Sequence, residues 1–386
     1  MGLLRSARFP ALLLLLAAAA GLVVANSPAG PAVLDLSHVH VGIPGTPLDL
    51  SLSHWVSDGL LAVFFFGVSV ELQFELTNGQ LRSPRRAALP AIAAAGGVLL
   101  PIVLYLVVTA GSGLEHGWPI PTATDVAFAL GVLAVFGRGL PSGLRVFLLA
   151  LAILDDIVGI VLIAVLFATD LDPWMLLAAL ACVAAFAALG RVPLRRGRVA
   201  AGIALAILAL ATWALVLASG VHATIAGVLL GLAMAQQPAL RVLHALEPWT
   251  NGLVLPLFAF SAALVAIPAV DAGAVSPAFW GVLLALPVGK LVGIAGAGWI
   301  GQRLLRAGPR LPLADLVAAG ALGGIGFTVS LLLASLAFAG DPLVRDEAVL
   351  GVLAGSGLSL LLAAALVSWR AARYRRVGSP EREAAP

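Results

Sequence analysis

The sequence predicts an all-α polytopic membrane protein of about twelve transmembrane helices. Of its 386 residues, 61% are hydrophobic and only 11% are charged, and the mean hydropathy is +1.08. Soluble domains carry about 25% charged residues, so this composition excludes an ordinary soluble fold. The apolar residues also form runs close to the length of about 20 helical residues that crosses a bilayer.

Twelve apolar segments follow one another along the chain, and each is a candidate for one span. Their ranges are 10–25, 55–76, 87–109, 119–137, 144–168, 174–190, 199–218, 221–235, 249–269, 279–302, 313–339 and 347–369. If all twelve cross the membrane, 20 of the 22 Lys and Arg residues fall in every second loop. The positive-inside rule then places both termini in the cytoplasm. The pI of about 9.7 is explained by topology, and we expect no nucleic acid partner.

The first segment allows two interpretations. Arg5 and Arg8 precede an apolar run that ends in the small residues 23–25, a pattern also typical of a cleaved signal peptide. Cleavage would leave eleven spans and an external start. We expect the segment to be retained, because the alternation of basic loops requires it.

The longest predicted external loop covers residues 28–53. A Pro/Gly turn within residues 39–50 is flanked by alternating apolar residues, which predicts a short β-hairpin. A two-stranded hairpin is weak alone, so we expect it to pair with a second protomer. Residues 370–386 are predicted to form a cytoplasmic tail, and residues 1–386 a single membrane domain.

Two adjacent aspartates, Asp155 and Asp156, lie inside the apolar run from about residue 146 to residue 167. An ionised aspartate near the centre of a transmembrane helix costs about 2.5–3.5 kcal/mol even on the lenient insertion scale. The pair therefore predicts a functional site. The alternative is that one or both carboxylates lie near a helix end and reach water.

Lys290 is the only lysine in a chain with 21 arginines, and it lies about eleven residues into segment ten. A lysine can lose its proton on burial, whereas an arginine does not. This choice of residue indicates a need for a cation that can be deprotonated. A lysine that snorkels to the interface from near a helix end is the alternative.

Segments four and eleven have unusual compositions. Segment four begins Trp-Pro-Ile-Pro-Thr-Ala-Thr-Asp over residues 118–125, and segment eleven contains four glycines and two hydroxyls within residues 320–330. Both predict an interrupted helix, which membranes tolerate where the freed backbone is buried or lines a cavity. The half-helix ends carry partial charges, and Asp125 and Lys290 are the candidates to neutralise them.

The interrupted segments also suggest an inverted repeat. Each is the second of three spans, in segments three to five and ten to twelve, and the seven-span separation gives the two groups opposite orientations. Paired interrupted segments point to a transporter with its binding site near the bilayer midplane. Buried carboxylates that hold either a hard cation or a proton would couple the flows of Na⁺ and H⁺.

Six runs of residues together carry a resemblance to a known family. They are Trp118–Leu133, Leu148–Gly159, Ser219–Gly227, Leu255–Phe260, Gly289–Lys290 and Gly324–Ser330. These runs closely resemble the NhaA-type sodium/proton antiporters, in unbroken order over about residues 10–375. That family is itself a standard example of inverted repeats, so the repeat inference is not independent of the resemblance.

The resemblance implies twelve helices with helices four and eleven interrupted and crossed. It implies a homodimer joined through the hairpin, and electrogenic exchange of H⁺ for Na⁺ or Li⁺ across the bacterial cytoplasmic membrane without a cofactor. By matching position, Asp155 and Asp156 are similar to the carboxylates that bind the proton and the transported sodium, the only metal expected, and Thr124 assists them. Asp125 and Lys290 are similar to the charges that compensate the crossed helices, and Lys290 pairs with Asp155.

The chain departs from the family in its cytoplasmic pH-sensing cluster. The family pattern Glu-x-Lys-Arg-Glu is replaced by Glu-Leu-Gln-Phe-Glu from Glu71 to Glu75, without the two basic residues. Leu243 replaces a family glutamate, although His244 remains. His222 resembles a histidine linked to the pH response, but a structural hydrogen-bonding role is an equal alternative. The candidates for pH sensing are Glu71, Glu75, His222 and His244, and the dependence of activity on pH stays open.

Three other classes of function are alternatives to the antiporter, and we expect no enzyme activity. An intramembrane aspartyl protease needs two aspartates on facing helices, whereas adjacent residues lie about 100° apart on one helix. A channel needs a continuous pore. A sodium-coupled organic-solute symporter of similar fold needs a substrate cavity, and it is the main alternative.

Overall fold

The computed structural model describes residues 8–46, 48–168, 171–191, 198–267, 275–305 and 311–377. Most of this chain is helical. The first helices are α1 (Arg8–Ala25), α2 (Gly30–Ser37), α3 (Leu52–His54), α4 (Leu61–Thr77), α5 (Pro84–Thr109), α6 (Val126–Phe136), α7 (Ser142–Leu166), α8 (Pro173–Arg191) and α9 (Arg198–Ala218). They are followed by α10 (Thr224–Ala233), α11 (Gln236–Trp249), α12 (Leu255–Ala262), α13 (Pro277–Leu284), α14 (Lys290–Leu305), α15 (Leu313–Gly323), α16 (Phe327–Ala337) and α17 (Pro342–Val377).

The predicted class of a helical polytopic membrane protein is confirmed. Within the described ranges, seven helical stretches are long and apolar enough to cross a membrane, and the number rises to ten when three bent pairs count as single spans. The bends measure 113° between α1 and α2, 40° at the start of α6 and 49° between α15 and α16. Predicted segments eight and nine correspond to the shorter helices α10 and α12. Each of the twelve apolar segments thus contains helix within the described residues. Ten qualify as spans by length and composition, the first of them only when α2 is counted together with α1.

The predicted external loop, residues 28–53, contains a hairpin and one helix that the sequence pattern did not predict. Strand β1 (His40–Val41) pairs antiparallel with β2 (Leu50–Ser51), with His40 opposite Ser51. The unpredicted helix is α2, which starts at a Gly-Pro pair where proline suits the first helical turn. Pairing of the hairpin with a second protomer stays a prediction.

The chain divides into two compact units, and each is described by itself. The first consists chiefly of Leu13–Gly79 and Ile160–Leu264. In this unit α10 packs closely on α4. The close approach is evident at Gly231, where an added β-carbon would stand only 2.6 Å from the carbonyl oxygen of Phe66. A π-helical stretch, Trp55–Leu60, leads into α4. The division does not test the prediction of a single membrane domain.

The second unit consists chiefly of Gln80–Gly159 and Val265–Pro386. It holds both predicted groups of three spans, except for the end of segment five, which passes into the first unit at Ile160. Gly96 of α5 approaches Gly293 of α14, while Tyr105 approaches Gly281 of α13. From the first contact to the second, residue numbers rise along α5 and fall from α14 to α13. Spans three and ten, the first of each predicted group, therefore run antiparallel. This packing agrees with the inverted repeat, and its small residues allow close helix approach.

Helix α17 continues through Val377, past the predicted start of the tail at residue 370. Residues 378–386 of that tail lie outside the described ranges. Arg370, assigned to a loop by the charge alternation, is instead buried within the second unit, with 6% of its surface exposed. The reason is a carboxylate partner on α15, described below.

Candidate ion-binding site

The two predicted helix interruptions are present in the structure. In span four, a 3₁₀ turn (Ile120–Thr122) is followed by extended backbone at Ala123 and Asp125 before α6 begins. In span eleven, α15 ends at Gly323 and α16 begins at Phe327. Prolines 119 and 121 explain the first break, because each lacks the N–H that a helix would use.

The two breaks meet, and each satisfies polar backbone groups of the other. The backbone N–H of Asp125 donates to the carbonyl of Ile325 at 2.6 Å, and Ser330 Oγ donates to the carbonyl of Ile120 at 2.8 Å. Gly324 is required at the break, since a β-carbon there would stand 2.7 Å from the carbonyl oxygen of Leu286. Backbone freed from a helix at membrane depth is thus buried and paired, as hydrocarbon requires.

Asp125 lies at two helix N-termini and is 4% exposed. Its Oδ1 accepts the backbone N–H of Phe128 at 3.1 Å, which caps α6. Its Oδ2 accepts from Thr328, at 3.2 Å from the backbone N–H and at 2.7 Å from the hydroxyl. Thr328 belongs to the first turn of α16. A carboxylate between two positive helix ends is the arrangement that favours its charge.

The Lys290 ammonium lies at the C-terminal end of a helical turn, and the residue is completely buried. Its Nζ donates to the carbonyl of Thr122, the last residue of the 3₁₀ turn. It also donates to Asp155 Oδ2 at 2.7 Å and to Thr124 Oγ1 at 3.1 Å. The ammonium therefore faces a backbone carbonyl at the end of a helical turn, which carries negative partial charge.

The two carboxylate oxygens of Asp155, on α7, differ in their hydrogen bonds. Its Oδ2 is shared by Lys290 and by the hydroxyl of Thr124 at 2.6 Å. Its Oδ1 is buried and has no hydrogen-bond partner among the described residues. A buried acceptor without a partner is costly, about 1–3 kcal/mol for a neutral group and more for a charged one. It is also the atom best placed to accept a proton or a metal cation.

Asp156 follows on the same helix and is 9% exposed, against 1% for Asp155. Adjacent residues lie about 100° apart around a helix, so the two carboxylates leave α7 in different directions. The structure thus places Asp155, Thr124 and Lys290 in one connected set of hydrogen bonds. Asp125 follows Thr124 in the chain and bonds two helix N-termini instead, and Asp156 follows Asp155 on α7.

Three of the four predicted pH-sensing residues lie together in the first unit. Glu71 and Glu75 are one turn apart on α4, and both His244 and Glu247 of α11 lie within electrostatic reach of Glu71. The fourth residue, His222, lies elsewhere in that unit. Its Nδ1 is 3.6 Å from Asp58 Oδ1.

Sequence reasoning missed three polar residues of the second unit, of which the first two are buried and the third is partly buried. They are Asp315, Arg370 and Tyr374, which bond one another between α15 and α17. It also did not assign a partner to Asp125, although Thr328 was noted as one of two hydroxyls in segment eleven. A carboxylate in the first turn of segment eleven was the available signal for Asp315.

The chain matches known proteins over almost its whole length. Residues 2–367 match the family model described as Na+/H+ antiporter 1. The Na(+)/H(+) antiporter NhaA 2 of Clavibacter michiganensis subsp. michiganensis is 58% identical over 384 residues, covering 98% of this chain and 94% of that protein. The Na(+)/H(+) antiporter NhaA of Tropheryma whipplei is 45% identical over 383 residues, covering 95% of each.

A third relative is similarly close. The Na(+)/H(+) antiporter NhaA of Streptomyces avermitilis is 44% identical over 392 residues, covering 98% of this chain and 83% of that protein. These matches confirm the resemblance seen in the sequence motifs. The chain belongs to the Na+/H+ antiporter 1 family, whose relatives here carry the name NhaA.

Proposed function

We propose that this protein exchanges Na⁺ for H⁺ across a membrane, and that Asp155 binds either ion. The relatives named as Na(+)/H(+) antiporters support the exchange. The observation that carries the assignment of the site is the buried Asp155, whose Oδ1 has no hydrogen-bond partner in the part of the chain that the structure describes and whose Oδ2 is paired to the only lysine of the sequence. The main alternative, a sodium-coupled symporter of organic solutes, finds no support among these relatives.

The proposed cycle rests on competition for one carboxylate in a medium that disfavours net charge. An ionised carboxylate at this depth needs a compensating cation. In the structure Lys290 supplies it, at 2.7 Å from Oδ2. A Na⁺ ion or a proton bound to Asp155 would supply it instead. Because only one of these partners is needed at a time, entry of one favours release of another.

Oxygen atoms suited to Na⁺ surround this carboxylate. Hard cations prefer oxygen ligands such as carboxylates, hydroxyls and backbone carbonyls. Beside Asp155 these are the hydroxyl of Thr124, 2.6 Å from Oδ2, and the carbonyl of Gly323, 2.8 Å from that hydroxyl. We assign the second carboxylate, Asp156, to ion and proton binding as well. Asp125 is proposed to balance helix ends, since its contacts are N-terminal N–H groups and one hydroxyl.

We also propose finer features of the exchange. Li⁺ is proposed as a second cargo, because the same oxygens suit it. The alternation of arginine-containing loops supports insertion with both termini in the cytoplasm, in a bacterial cytoplasmic membrane. The hairpin, with its short and exposed strand β1, supports a homodimer. The four candidates in the first unit, Glu71, Glu75, His222 and His244, are proposed to tune the response to pH.

Proton movement in everted vesicles tests the exchange. Addition of Na⁺ to vesicles with an acidified lumen, without any organic solute, should release protons, and a pH-sensitive dye reports the release. Choline chloride at equal ionic strength is the control salt, and vesicles lacking the protein are the matched membrane control. Na⁺ uptake that requires an added organic solute would contradict the antiporter and favour the symporter.

A further inference from the structure

Asp315 is a buried carboxylate that the proposed exchange does not use. It lies in the first turn of α15 and is completely buried. Both of its oxygens are bonded to side chains of α17. Arg370 Nε donates to Oδ1 at 2.6 Å, and the Tyr374 hydroxyl donates to Oδ2 at 2.6 Å. These three residues are called the Asp315 cluster below.

The cluster lies on a side of α17 that packs along the interrupted span eleven. Ser356 Oγ accepts the backbone N–H of Phe327 at 3.2 Å, at the start of α16. Ser359 lies at the break itself, where a β-carbon on Gly324 would stand 2.6 Å from its Oγ. Positions 356, 359, 370 and 374 fall near one face of an α-helix, since 14 and 18 residues are close to whole numbers of turns. One side of α17 therefore contacts α15, the break and α16.

The same end of α17 also reaches span four. Arg375 Nη1 donates to the carbonyl of Arg138 at 2.6 Å, just beyond the last residue of α6. The two half-helices α6 and α15 are thus tied to neighbouring turns of a single long helix. Side chains between residues 370 and 375 thus bond both α15 and the end of span four.

Helix α15 links the Asp315 cluster to the ion site. Asp315 and Gly323 are eight residues apart in one continuous helix, a distance of about 12 Å at about 1.5 Å per residue. The carbonyl of Gly323 is the acceptor for the Thr124 hydroxyl at 2.8 Å, and that hydroxyl is 2.6 Å from Asp155. So short a helix moves as one body. Fixing its first turn fixes the carbonyl at its last.

We propose that Asp315 and Arg370 are positioning residues for the exchange, holding α15 so that the Gly323 carbonyl stays within reach of Thr124 and of the bound Na⁺. This inference rests on the proposed function. Neither residue touches the ion. Their effect reaches the site through α15, so their loss should weaken Na⁺ binding more than it slows turnover. An ion pair with a purely structural role would lower thermal stability and leave the apparent Na⁺ affinity unchanged.

The test compares three variants of the full-length protein in proteoliposomes. Asp315→Asn with Arg370→Gln removes both charges together, which avoids leaving one charge buried and unpaired. Tyr374→Phe removes a single hydrogen bond and keeps the ion pair, so it folds even if the charge variant does not. Arg345→Gln with Asp346→Asn is the matched control, because it removes a partly exposed ion pair near the other end of α17.

The readouts are the apparent KM for Na⁺, the maximal rate of Na⁺-dependent proton movement and the melting temperature. Loss of a positioning hydrogen bond should raise the KM by about three- to tenfold for the charge variant, less for Tyr374→Phe, and leave the maximal rate little changed. The control pair should keep the KM of the wild type. A lowered melting temperature with an unchanged KM in both cluster variants would overturn the inference.

A double-mutant cycle with Thr124→Val tests the route of the effect. If the cluster acts through the Gly323 carbonyl and the Thr124 hydroxyl, the cluster variants should raise the KM less in a Thr124→Val background than in the wild type. Fully additive effects would overturn the proposed route. A wild-type protein that moves no protons on addition of Na⁺ would overturn the proposed function and this inference together, whereas normal wild-type exchange with an unaffected cluster variant overturns the inference alone.

Discussion

Lys290 Nζ and Asp155 Oδ2 lie 2.7 Å apart, and neither side chain has any exposed surface. Taking two charges out of water costs several kcal/mol per ion, which the attraction between them repays only with good geometry and further hydrogen bonds. Lys290 has those further bonds, to Thr122 and Thr124. Asp155 retains one oxygen, Oδ1, that no described residue bonds. The donors of the Lys290 ammonium are therefore satisfied, whereas the Asp155 carboxylate still has an oxygen that can accept a proton or a cation.

The first prediction concerns the two aspartates of α7. Asp155→Asn and Asp156→Asn should each insert and fold, because a neutral amide is cheaper in the membrane than a carboxylate. Each should abolish Na⁺-dependent proton movement, since an amide neither binds the proton nor compensates the charge of Na⁺. The measurement is the everted-vesicle assay, with expression and monodispersity as controls. Normal exchange by either variant would remove that residue from the site.

The second prediction concerns Lys290. Replacing it with arginine keeps the positive charge beside Asp155, but a guanidinium does not release its proton. We expect Lys290→Arg to exchange Na⁺ for H⁺ with fewer protons per cycle. The measurement is the membrane potential at which Na⁺ flux reverses in proteoliposomes. An unchanged reversal potential would make Lys290 a structural counter-charge alone.

Lys290→Ala is the matched control for that experiment. It leaves the buried Asp155 without its cation, and breaking a buried pair from one side typically costs about 3–5 kcal/mol. The melting temperature should therefore fall, and Asp155→Asn in the same background should recover part of the loss. No recovery would indicate that packing, rather than charge, accounts for the instability.

The third prediction concerns Asp125. Its contacts are two helix N-termini and the Thr328 hydroxyl, so Asp125→Asn should weaken the helix crossing and keep some exchange. The expected loss of stability is about 1–2 kcal/mol, because a charge at a helix N-terminus contributes up to about 2 kcal/mol. Thermal melting and the apparent Na⁺ affinity check this. Complete loss of transport at unchanged stability would make Asp125 a direct ligand of the ion.

The fourth prediction concerns pH regulation. Gln73 lies between Glu71 and Glu75 and donates from Nε2 to the carbonyls of Leu232 and Met234, at 2.8 and 3.1 Å. A lysine ammonium can make the same contacts, so Gln73→Lys with Phe74→Arg should fold. Added positive charge favours the ionised carboxylates of this cluster. The profile of activity against pH should therefore shift from that of the wild type.

The measurement is the rate of Na⁺-dependent proton movement across a series of pH values. The matched control is Gln73→Met with Phe74→Leu, which changes the same positions without adding charge. Superimposable profiles for the wild type and the basic variant would show that regulation lies elsewhere. We expect the wild type to activate more gradually, or at a different pH, than relatives that keep both basic residues.

Much of the site was predictable because it rests on residues that are costly in a membrane. A single lysine among 21 arginines and two adjacent aspartates in an apolar run stand out without any structure. The interruptions were predictable as well, since proline and glycine act on the backbone locally. The alternating apolar residues beside the hairpin turn and the arginines of the loops are likewise local patterns, and they predict the hairpin and the topology.

The remaining features depend on contacts that no local pattern encodes. Arg370 at the end of an apolar segment is typical of a loop cation, and only its proximity to Asp315, 55 positions away, explains its burial. The contact between Asp58 and His222 also joins residues that are far apart in sequence, so no local pattern predicts it. Helix α2 was missed because Gly, Pro and Ser around it are equally typical of a loop. Tertiary packing decided each of these cases.

The hydroxyl of Thr124 carries one hydrogen but faces two acceptors, Asp155 Oδ2 at 2.6 Å and the Gly323 carbonyl at 2.8 Å. It can donate to only one of them at a time. A cation on Asp155 would repel the hydrogen and turn it toward Gly323, whereas a bare carboxylate attracts it. If Asp155 binds the transported ion as proposed, the direction of this one O–H bond would therefore differ between the ion-bound and the ion-free carboxylate. Rotation about a single side-chain bond of Thr124 would then carry the difference from α7 to the backbone of α15.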